Sequence, residues 1–188
     1  MAADVEAFLL AESLGPKTVL IGHSMGAKAA MAVSLRRPAL AGKLIVVDNA
    51  PVEALLHSNF GNYVRAMRKI EEAEITKKED ADRILQEVEP ALEVRQFLMT
   101  NLVRREGEMV LRWRVPLRIL AKSLDTMGGF PYHPDKVRFE KPALFVRGTK
   151  SHYVPDEVMP VIGRFFPFFR MKDIEAGHWG EYGGMDDG

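Results

Sequence analysis

The amino-acid sequence predicts an α/β fold with a mostly parallel sheet of about four strands, helices on both faces and an inserted helical cap. Short runs of β-branched and apolar residues alternate along the chain with segments at helical spacing. These runs are apolar at successive positions, which is typical of parallel strands covered on both faces. About half of the chain, between Asp48 and Pro142, is mostly helical in pattern. Because strand-like runs flank this segment, we interpret it as an insertion into one sheet.

The composition fits one packed domain and excludes several classes of site. The 188 residues include 47% hydrophobic and 28% charged residues, the usual mixture in a globular domain. Lys and Arg total 26, as do Asp and Glu, so no net field attracts nucleic acid or an anionic membrane, and we expect neither partner. The absence of cysteine excludes disulfides, thiolate metal sites and a cysteine nucleophile.

Targeting and membrane segments are not expected within this sequence. No apolar run approaches the ~20 residues that a membrane-spanning helix requires, so we expect no membrane span. Residues 1–13 contain three acidic residues and neither Lys nor Arg, which argues against a secretory signal or a transit peptide in this stretch.

The first 48 residues contain two helix–strand pairs. Val5, Phe8 and Leu9 recur at helical spacing, and Gly15-Pro16 ends this first helix. A β-branched strand, a helix of small residues and a second apolar strand follow at residues 17–22, 27–35 and 43–48.

The later elements divide the chain into a core and a cap. Residues 143–147 predict a third strand and residues 169–174 a weaker fourth one. Between the second and third strands, three apolar stripes predict core-facing helices: Phe60, Tyr63, Val64, Met67 and Ile70; Ile84, Leu85 and Val88; and Val94, Phe97, Leu98 and Leu102. We therefore assign residues 1–51 and 136–179 to the core, 52–135 to the cap, and the glycine-rich, acidic residues 180–188 to a disordered tail.

A G-x-S-x-G motif stands between the first strand and the small-residue helix, at Gly22-His23-Ser24-Met25-Gly26. In this context the motif predicts a nucleophile elbow, a tight turn that exposes a reactive serine at the end of a strand. The flanking glycines would let the strand and the helix approach closely. The backbone N–H of Met25 would then lie at a helix N-terminus, where it can stabilise an oxyanion.

A serine nucleophile requires a general base, and His178 is the best of five candidates. It follows the last predicted strand, and loops at the carboxyl ends of parallel strands share one crevice. His23 lies inside the elbow, where we expect it to wall the pocket. The remaining histidines lie in the cap or after the third strand, at His57, His133 and His152.

The pattern offers more than one acid that could orient the base. The usual position, the loop after residues 143–147, has Ser151 where an aspartate is expected. Asp48 ends the strand that follows the elbow helix, so its carboxylate would emerge at the same sheet edge as Ser24. An aspartate at a strand end can also simply cap a turn. Asp156 and then Asp125 are the alternatives.

Six segments of the chain together resemble one known family. They are residues 22–28 (GHSMGAK), 47–52 (VDNAPV), 62–67 (NYVRAM), 95–102 (RQFLMTNL), 113–115 (WRV) and 177–179 (GHW). Over residues 2–179 the chain resembles the α/β-hydrolase superfamily and, more narrowly, the mitochondrial abhydrolase-domain-containing protein 11 group and related bacterial esterases. The resemblance implies that Ser24 and His178 are catalytic, and that Asp48 is the acid, as in some bacterial members. The cap acid assigned in animal members matches Arg118 here, which cannot serve.

The sequence also departs from that family. About four strands and a His-Gly loop usually precede the elbow strand, whereas here one helix precedes it and no His-Gly dipeptide occurs. After Trp179 the family continues into a closing helix. We therefore expect a partial, N-terminally truncated α/β-hydrolase fold with Met25 as its one identified oxyanion donor and feeble turnover. The first strand would expose an apolar edge that favours self-association.

The resemblance implies a serine hydrolase acting on small-molecule carboxylic esters or thioesters through an acyl-enzyme intermediate. One alternative is an alcohol acyltransferase with the same triad, and another is an impaired fragment that acts only as an interaction module. We expect no cofactor, and no metal because the histidines are scattered without ligand spacing. By resemblance alone the expected location is mitochondrial, with cytoplasmic as the alternative.

Overall fold

The computed structural model describes residues 1–53 and 59–178. Its helices are α1 (Ala2–Ala11), α2 (Met25–Arg36), α3 (Asn59–Glu72), α4 (Lys78–Gln86), α5 (Leu92–Met99), α6 (Leu117–Gly128) and α7 (Met159–Phe165). Its strands are β1 (Val19–His23), β2 (Lys43–Val47), β3 (Leu102–Arg104), β4 (Leu111–Trp113), β5 (Ala143–Gly148) and β6 (Phe169–Ile174). The expected disordered tail, 180–188, lies outside the described residues.

The described residues form two compact units, which are 1–53 with 130–178, and 59–129. The first unit contains a four-stranded sheet in the order β1-β2-β5-β6, in which every neighbouring pair is parallel. This confirms the predicted α/β class and its mostly parallel sheet. Because all four strands run in one direction, the residues that follow each of them meet at one edge of the sheet.

The buried face of this sheet packs against helices. Leu20, Val46 and Phe145 are buried on neighbouring strands, and Phe145 makes an edge-to-face contact with Phe166 at the end of α7. Helix α2 contributes small residues and Met31 to the same core, and α1 packs on α2. Small side chains let α2 pack closely against the strands. This packing positions the turn that joins β1 to α2.

The opposite face of the sheet differs from the prediction. Side chains alternate between buried and exposed along β1, where Val19 is 44% and Ile21 67% exposed. Within residues 1–53 and 130–178, the helices pack on the face that carries Leu20 and Phe145, and we find no second helical layer. The continuous apolar runs suggested burial on both sides, but in these residues only alternate positions are covered.

The second unit is a small helical bundle with a hairpin. Helices α3 to α6 surround a core that includes Ile70, Leu85 and Leu102. The indole N–H of buried Trp113, on β4, donates a 2.9 Å hydrogen bond to the carbonyl oxygen of Met67 on α3. The first predicted stripe lies on α3. In the second stripe Ile84 and Leu85 lie on α4, whereas Val88 follows the end of that helix. The antiparallel β3–β4 hairpin and α6 were not predicted.

The third predicted stripe is wrong in part, and α1, which was predicted as a helix, also buries a charged residue. On α5, Phe97 is 47% exposed while Arg95 is buried, and Leu102 belongs to β3 rather than to the helix. On α1, Leu9 is buried but Phe8 is exposed, and Glu6 is buried beside Arg36. In each helix a charged side chain is buried in an ion pair, which the spacing of apolar residues does not predict. Among the residues described, no helix combines the length and the apolar character needed to cross a bilayer.

Candidate active site

The G-x-S-x-G motif forms the turn from β1 into α2. Ser24 lies at this turn with φ of 53° and ψ of −120°, a conformation that is strained for a residue with a side chain. A Cβ atom placed on Gly22 would lie 2.3 Å from the carbonyl oxygen of Gly26, so only glycine fits there. At Gly26 itself an added Cβ would contact nothing within 4 Å. The expectation that both glycines relieve a side-chain collision therefore holds for Gly22 alone.

Asn49 holds the turn in place from the neighbouring strand. Its side-chain amide donates a 2.8 Å hydrogen bond to the carbonyl oxygen of Ser24, and its own side-chain oxygen accepts one from the N–H of Ala50. The N–H of Ser24 donates to the carbonyl oxygen of Val47, 3.0 Å away. Asn49 is buried and was not among the predicted site residues. Its position directly after the candidate acid was the one signal that could have drawn attention to it.

The structure brings Ser24, His178 and Asp48 into one hydrogen-bonded chain. His178 follows β6, and its Nε2 lies 2.9 Å from Ser24 Oγ. Its Nδ1 lies 2.7 Å from Asp48 Oδ2. Since a carboxylate only accepts, Nδ1 carries the proton in this pair, and Nε2 of the neutral ring can accept the hydroxyl proton of Ser24. The side chains of His178 and Asp48 are 9% and 4% exposed, so water competes little for their contact.

Asp48 follows β2 in a left-handed conformation, with φ of 49°, which Asp tolerates better than most residues. Burial raises the pKa of this carboxyl, but hydrogen bonds from His178, the Ser151 hydroxyl and the Gly148 N–H outweigh it and hold the pKa below its usual value. The N–H of Gly148 reaches Asp48 Oδ1 at 3.2 Å, while Ser151 donates to Oδ2. Asp48 is therefore held as a carboxylate at neutral pH.

Two further side chains, Tyr153 and His23, contact His178. The ring of Tyr153 stacks on the imidazole, with centroids 3.8 Å apart and planes inclined by 17°. His23 Nε2 donates a 2.8 Å hydrogen bond to the backbone carbonyl oxygen of His178. Sequence reasoning placed His23 in the pocket wall, whereas here it fastens the loop that carries the candidate base. Nothing in the sequence pattern pointed to Tyr153.

The N–H of Met25 is the first of α2 and lies outside the helix's own hydrogen-bond ladder. The positive end of the helix macrodipole is at this position, directly beside Ser24. Such an N–H can donate to negative charge that develops on a carbonyl bound at Ser24.

Of the alternative residues in the described part of the first unit, Asp156, His133 and His152 form no hydrogen bond to Ser24, His178 or Asp48. Asp156 is exposed and pairs with Arg147. The Asp125 side chain and all of His57 lie outside the described residues. His133 is exposed beside Asp135, His152 is exposed, and Arg118 lies on α6 of the second unit.

Comparison with known proteins identifies a family. Residues 1–182 match the model of the "Alpha/beta hydrolase family". A solved structure titled "Marine microorganism esterase" superposes with a TM-score of 0.85 at 28% identity, covering 95% of this chain and 69% of that one.

Three curated relatives are also similar. An abhydrolase domain-containing protein of Schizosaccharomyces pombe is 39% identical over 95% of this chain and 66% of its own length. A protein of Saccharomyces cerevisiae named "Probable alcohol acetyltransferase" is 37% identical over 95% and 57%. The sn-1-specific diacylglycerol lipase ABHD11 of Xenopus laevis is 38% identical over 86% and 52%. This chain thus spans between about half and two thirds of the length of these relatives.

Proposed function

We propose, from the premise that this chain belongs to the alpha/beta hydrolase family, that it is a serine hydrolase of carboxylic esters or thioesters. The observation on which the proposal depends is the chain Ser24–His178–Asp48, with both hydrogen-bond distances below 3 Å and the serine on a strained elbow. Hydroxyl, imidazole and carboxylate in this order form the arrangement that activates a serine for acyl transfer.

The first half of the proposed reaction acylates Ser24. Oγ attacks the carbonyl carbon of the substrate while its proton passes to His178 Nε2. The carbonyl oxygen becomes an oxyanion, to which the N–H of Met25 donates. Collapse of this intermediate breaks the bond to the alcohol or thiol, which leaves with the proton from His178. Asp48 stays ionised throughout and stabilises the imidazolium that forms in between.

The second half releases the acyl group. Water gives a proton to His178 Nε2 and attacks the acyl carbonyl, and a second oxyanion forms at the same N–H. When this intermediate collapses, Ser24 Oγ recovers the proton and a carboxylic acid leaves. The enzyme thereby returns to its starting protonation state.

Acyl transfer to an alcohol is the second candidate function. An alcohol that enters in place of water would take the acyl group by the same steps and leave as a new ester. The similarity to the relative named "Probable alcohol acetyltransferase" favours this variant. Adding ethanol to a reaction with p-nitrophenyl acetate separates the two, because acyl transfer yields ethyl acetate and hydrolysis yields acetate.

A fluorophosphonate probe tests the proposed nucleophile. We expect covalent labelling of the wild-type chain and none of Ser24→Ala, with Ser13→Ala, which alters an exposed serine, labelled like the wild type. Failure to label a wild-type chain shown to be folded by circular dichroism would contradict the proposal. The remaining function would then be that of a non-catalytic interaction module.

Self-association through β1 is a further part of the proposal. Within the described residues β1 pairs with β2 alone, and its Val19 and Ile21 side chains are exposed. An unpaired, apolar strand edge recruits further strands. We expect a dimer or larger species in light scattering after size-exclusion chromatography, reduced by Ile21→Lys and unchanged by Ile119→Lys on the second unit. A stable wild-type monomer at all concentrations would contradict this.

Two assignments rest on the family resemblance. We propose that residues 52–135 serve as a cap over the substrate. Replacing the cap with a short linker should therefore change the preference among acyl chain lengths.

We also propose that the protein acts in mitochondria rather than in the cytoplasm. Cell fractionation tests this location.

A further inference from the structure

A buried lysine lies one helical turn after the candidate nucleophile. Lys28 is the fourth residue of α2, and its backbone N–H donates a 3.3 Å hydrogen bond to the carbonyl oxygen of Ser24. The residue is only 8% exposed. A lysine is almost never buried to this extent unless its charge is paired, because the ammonium group loses its hydration. Lys28 therefore requires an acid close to it.

The chain that leaves β2 passes beside this turn of α2. We call residues 49–53 the connecting segment, which ends the first described stretch of the first unit. Its first residue, Asn49, donates to the carbonyl oxygen of Ser24. Its second residue, Ala50, is fully buried in the same hydrophobic cluster as Ala27 of α2. The connecting segment therefore begins against the first turn of the elbow helix.

Glu53 supplies an acid at the other end of the connecting segment. It stands four residues after Asn49, just as Lys28 stands four residues after Ser24, and Asn49 and Ser24 are joined by a hydrogen bond. Helix α2 itself contains no acidic residue. Burial lowers the pKa of the Lys28 ammonium, and the negative charge of Glu53 opposes this by raising it. The carboxylate thus acts on the ammonium from the neighbouring segment.

We propose that Lys28 is a positioning residue, whose buried ammonium pairs with the carboxylate of Glu53 and holds the connecting segment against the elbow helix. The segment is then fastened at both ends, so that Asn49 keeps its hydrogen bond to the carbonyl oxygen of Ser24. In this role Lys28 acts through Asn49 and not on the reacting atoms. Its effect on the reaction rests on the proposed function.

A double-mutant cycle measures the pairing without any turnover. Lys28→Met keeps the apolar stem and removes the charge, and Glu53→Gln removes the opposite charge at nearly constant shape. We expect the effects of the two substitutions on the unfolding equilibrium in urea to be non-additive by a factor of about 5 or more, because Glu53→Gln should destabilise only where the ammonium is present. Glu140→Gln, which alters another exposed glutamate of the first unit, should combine additively with Lys28→Met.

The titration of Lys28 is a second readout, which a side chain that merely filled space would not move. In protein with ¹³C-labelled lysine, the resonance of Lys28 is the one absent from Lys28→Arg. Because the charge of Glu53 raises the pKa of Lys28, this resonance should titrate at lower pH in Glu53→Gln than in the wild type. Glu53→Asp keeps the charge and should restore most of the shift, whereas Glu140→Gln should cause none.

The rate of the reaction should depend on the same pair. We expect kcat for p-nitrophenyl acetate to fall by about 3- to 10-fold in Glu53→Gln with little change in KM. The reason is that a small displacement of the elbow impairs attack by Ser24 more than it impairs binding of the substrate. Glu53→Asp should recover most of the loss.

The outcomes separate this inference from the proposed function. Coupled stabilities, a lowered Lys28 titration and a slower Glu53→Gln, the last two restored by Glu53→Asp, support the positioning role. If the wild type turns over no ester and binds no fluorophosphonate, the proposed function fails while the cycle and the titration still test the pair. Additive stabilities, an unshifted Lys28 resonance in Glu53→Gln, or a kcat of Glu53→Gln equal to or above that of the wild type overturns the inference.

Discussion

The side-chain amide of Asn49 donates a 2.8 Å hydrogen bond to the backbone carbonyl oxygen of Ser24. The residue directly after the candidate acid thus fastens the turn that carries the candidate nucleophile. Asp48 forms a hydrogen bond with the candidate base, and Asn49 holds the elbow. Two adjacent residues at the end of β2 therefore set the distance between nucleophile and acid, and His178 spans that distance.

The two glycines of the motif should respond differently to substitution. In Gly22→Ala the new methyl group would collide with the backbone oxygen of Gly26, which no side-chain motion can relieve. We expect a loss of about 3 kcal/mol or more in the free energy of unfolding, at or beyond the upper range for overpacking. Gly26→Ala meets open space within a helix and should be neutral or slightly stabilising. Urea unfolding of both variants measures this, and equal losses would contradict the account.

Because the backbone at Ser24 is strained, replacing this residue with glycine should stabilise the fold while it abolishes labelling. Ser24→Gly removes the side chain from a conformation with positive φ and should raise the free energy of unfolding by about 1 kcal/mol, since relief of strain exceeds the entropy cost of glycine. Ser24→Ala keeps the Cβ and should leave stability nearly unchanged, while both variants lose fluorophosphonate labelling. Thermal unfolding distinguishes them, and a less stable Ser24→Gly would argue against a strained elbow.

The ionised carboxyl of Asp48 should make the free energy of unfolding fall as the solution becomes acidic. Its pKa is lowered in the folded chain, where hydrogen bonds from His178, Ser151 and Gly148 outweigh the opposing effect of burial. The resulting stabilisation is present above the unfolded pKa of about 3.9 and is lost as the pH falls through the lower folded pKa. The wild type should therefore lose stability relative to Asp48→Asn on acidification below about pH 4. Urea midpoints from pH 7 to pH 3 test this, and parallel curves would contradict it.

In the second unit, replacing the charged Arg95 should lower the free energy of unfolding more than replacing the aromatic Phe97. Buried Arg95 pairs with Asp82 at 2.7 Å and donates to the carbonyl oxygens of Glu89 and Pro90. Arg95→Met leaves these acceptors without that donor and should cost about 2–4 kcal/mol of unfolding free energy. Phe97→Ala, at a position 47% exposed, should cost less than about 1 kcal/mol. Chemical denaturation gives both values, and the reverse order would show that the apolar spacing was the better guide.

Much of the sheet, and the meeting of Ser24, His178 and Asp48 at one of its edges, could be predicted from local signals and the strand direction. The elbow needs particular residue types at fixed spacing, and the parallel strands bring their following residues to one edge. The contacts of Ser151, Asn49 and Tyr153 could not be predicted, since they depend on how loops far apart in sequence turn after their strands. Arg95 escaped prediction for a different reason: periodicity counts apolar residues and does not register an arginine whose donors are satisfied in the core.

The most direct test of the central claim locates the probe on the polypeptide. After brief exposure to a fluorophosphonate, peptide mass spectrometry should place the adduct on Ser24 in the wild type. Labelling should be slowed by about 10³ or more in His178→Gln and clearly, though less, in Asp48→Asn, because the base activates the hydroxyl and the acid orients the base. An adduct on another residue, or labelling of Ser24 at the same rate in His178→Gln as in the wild type, would contradict the account.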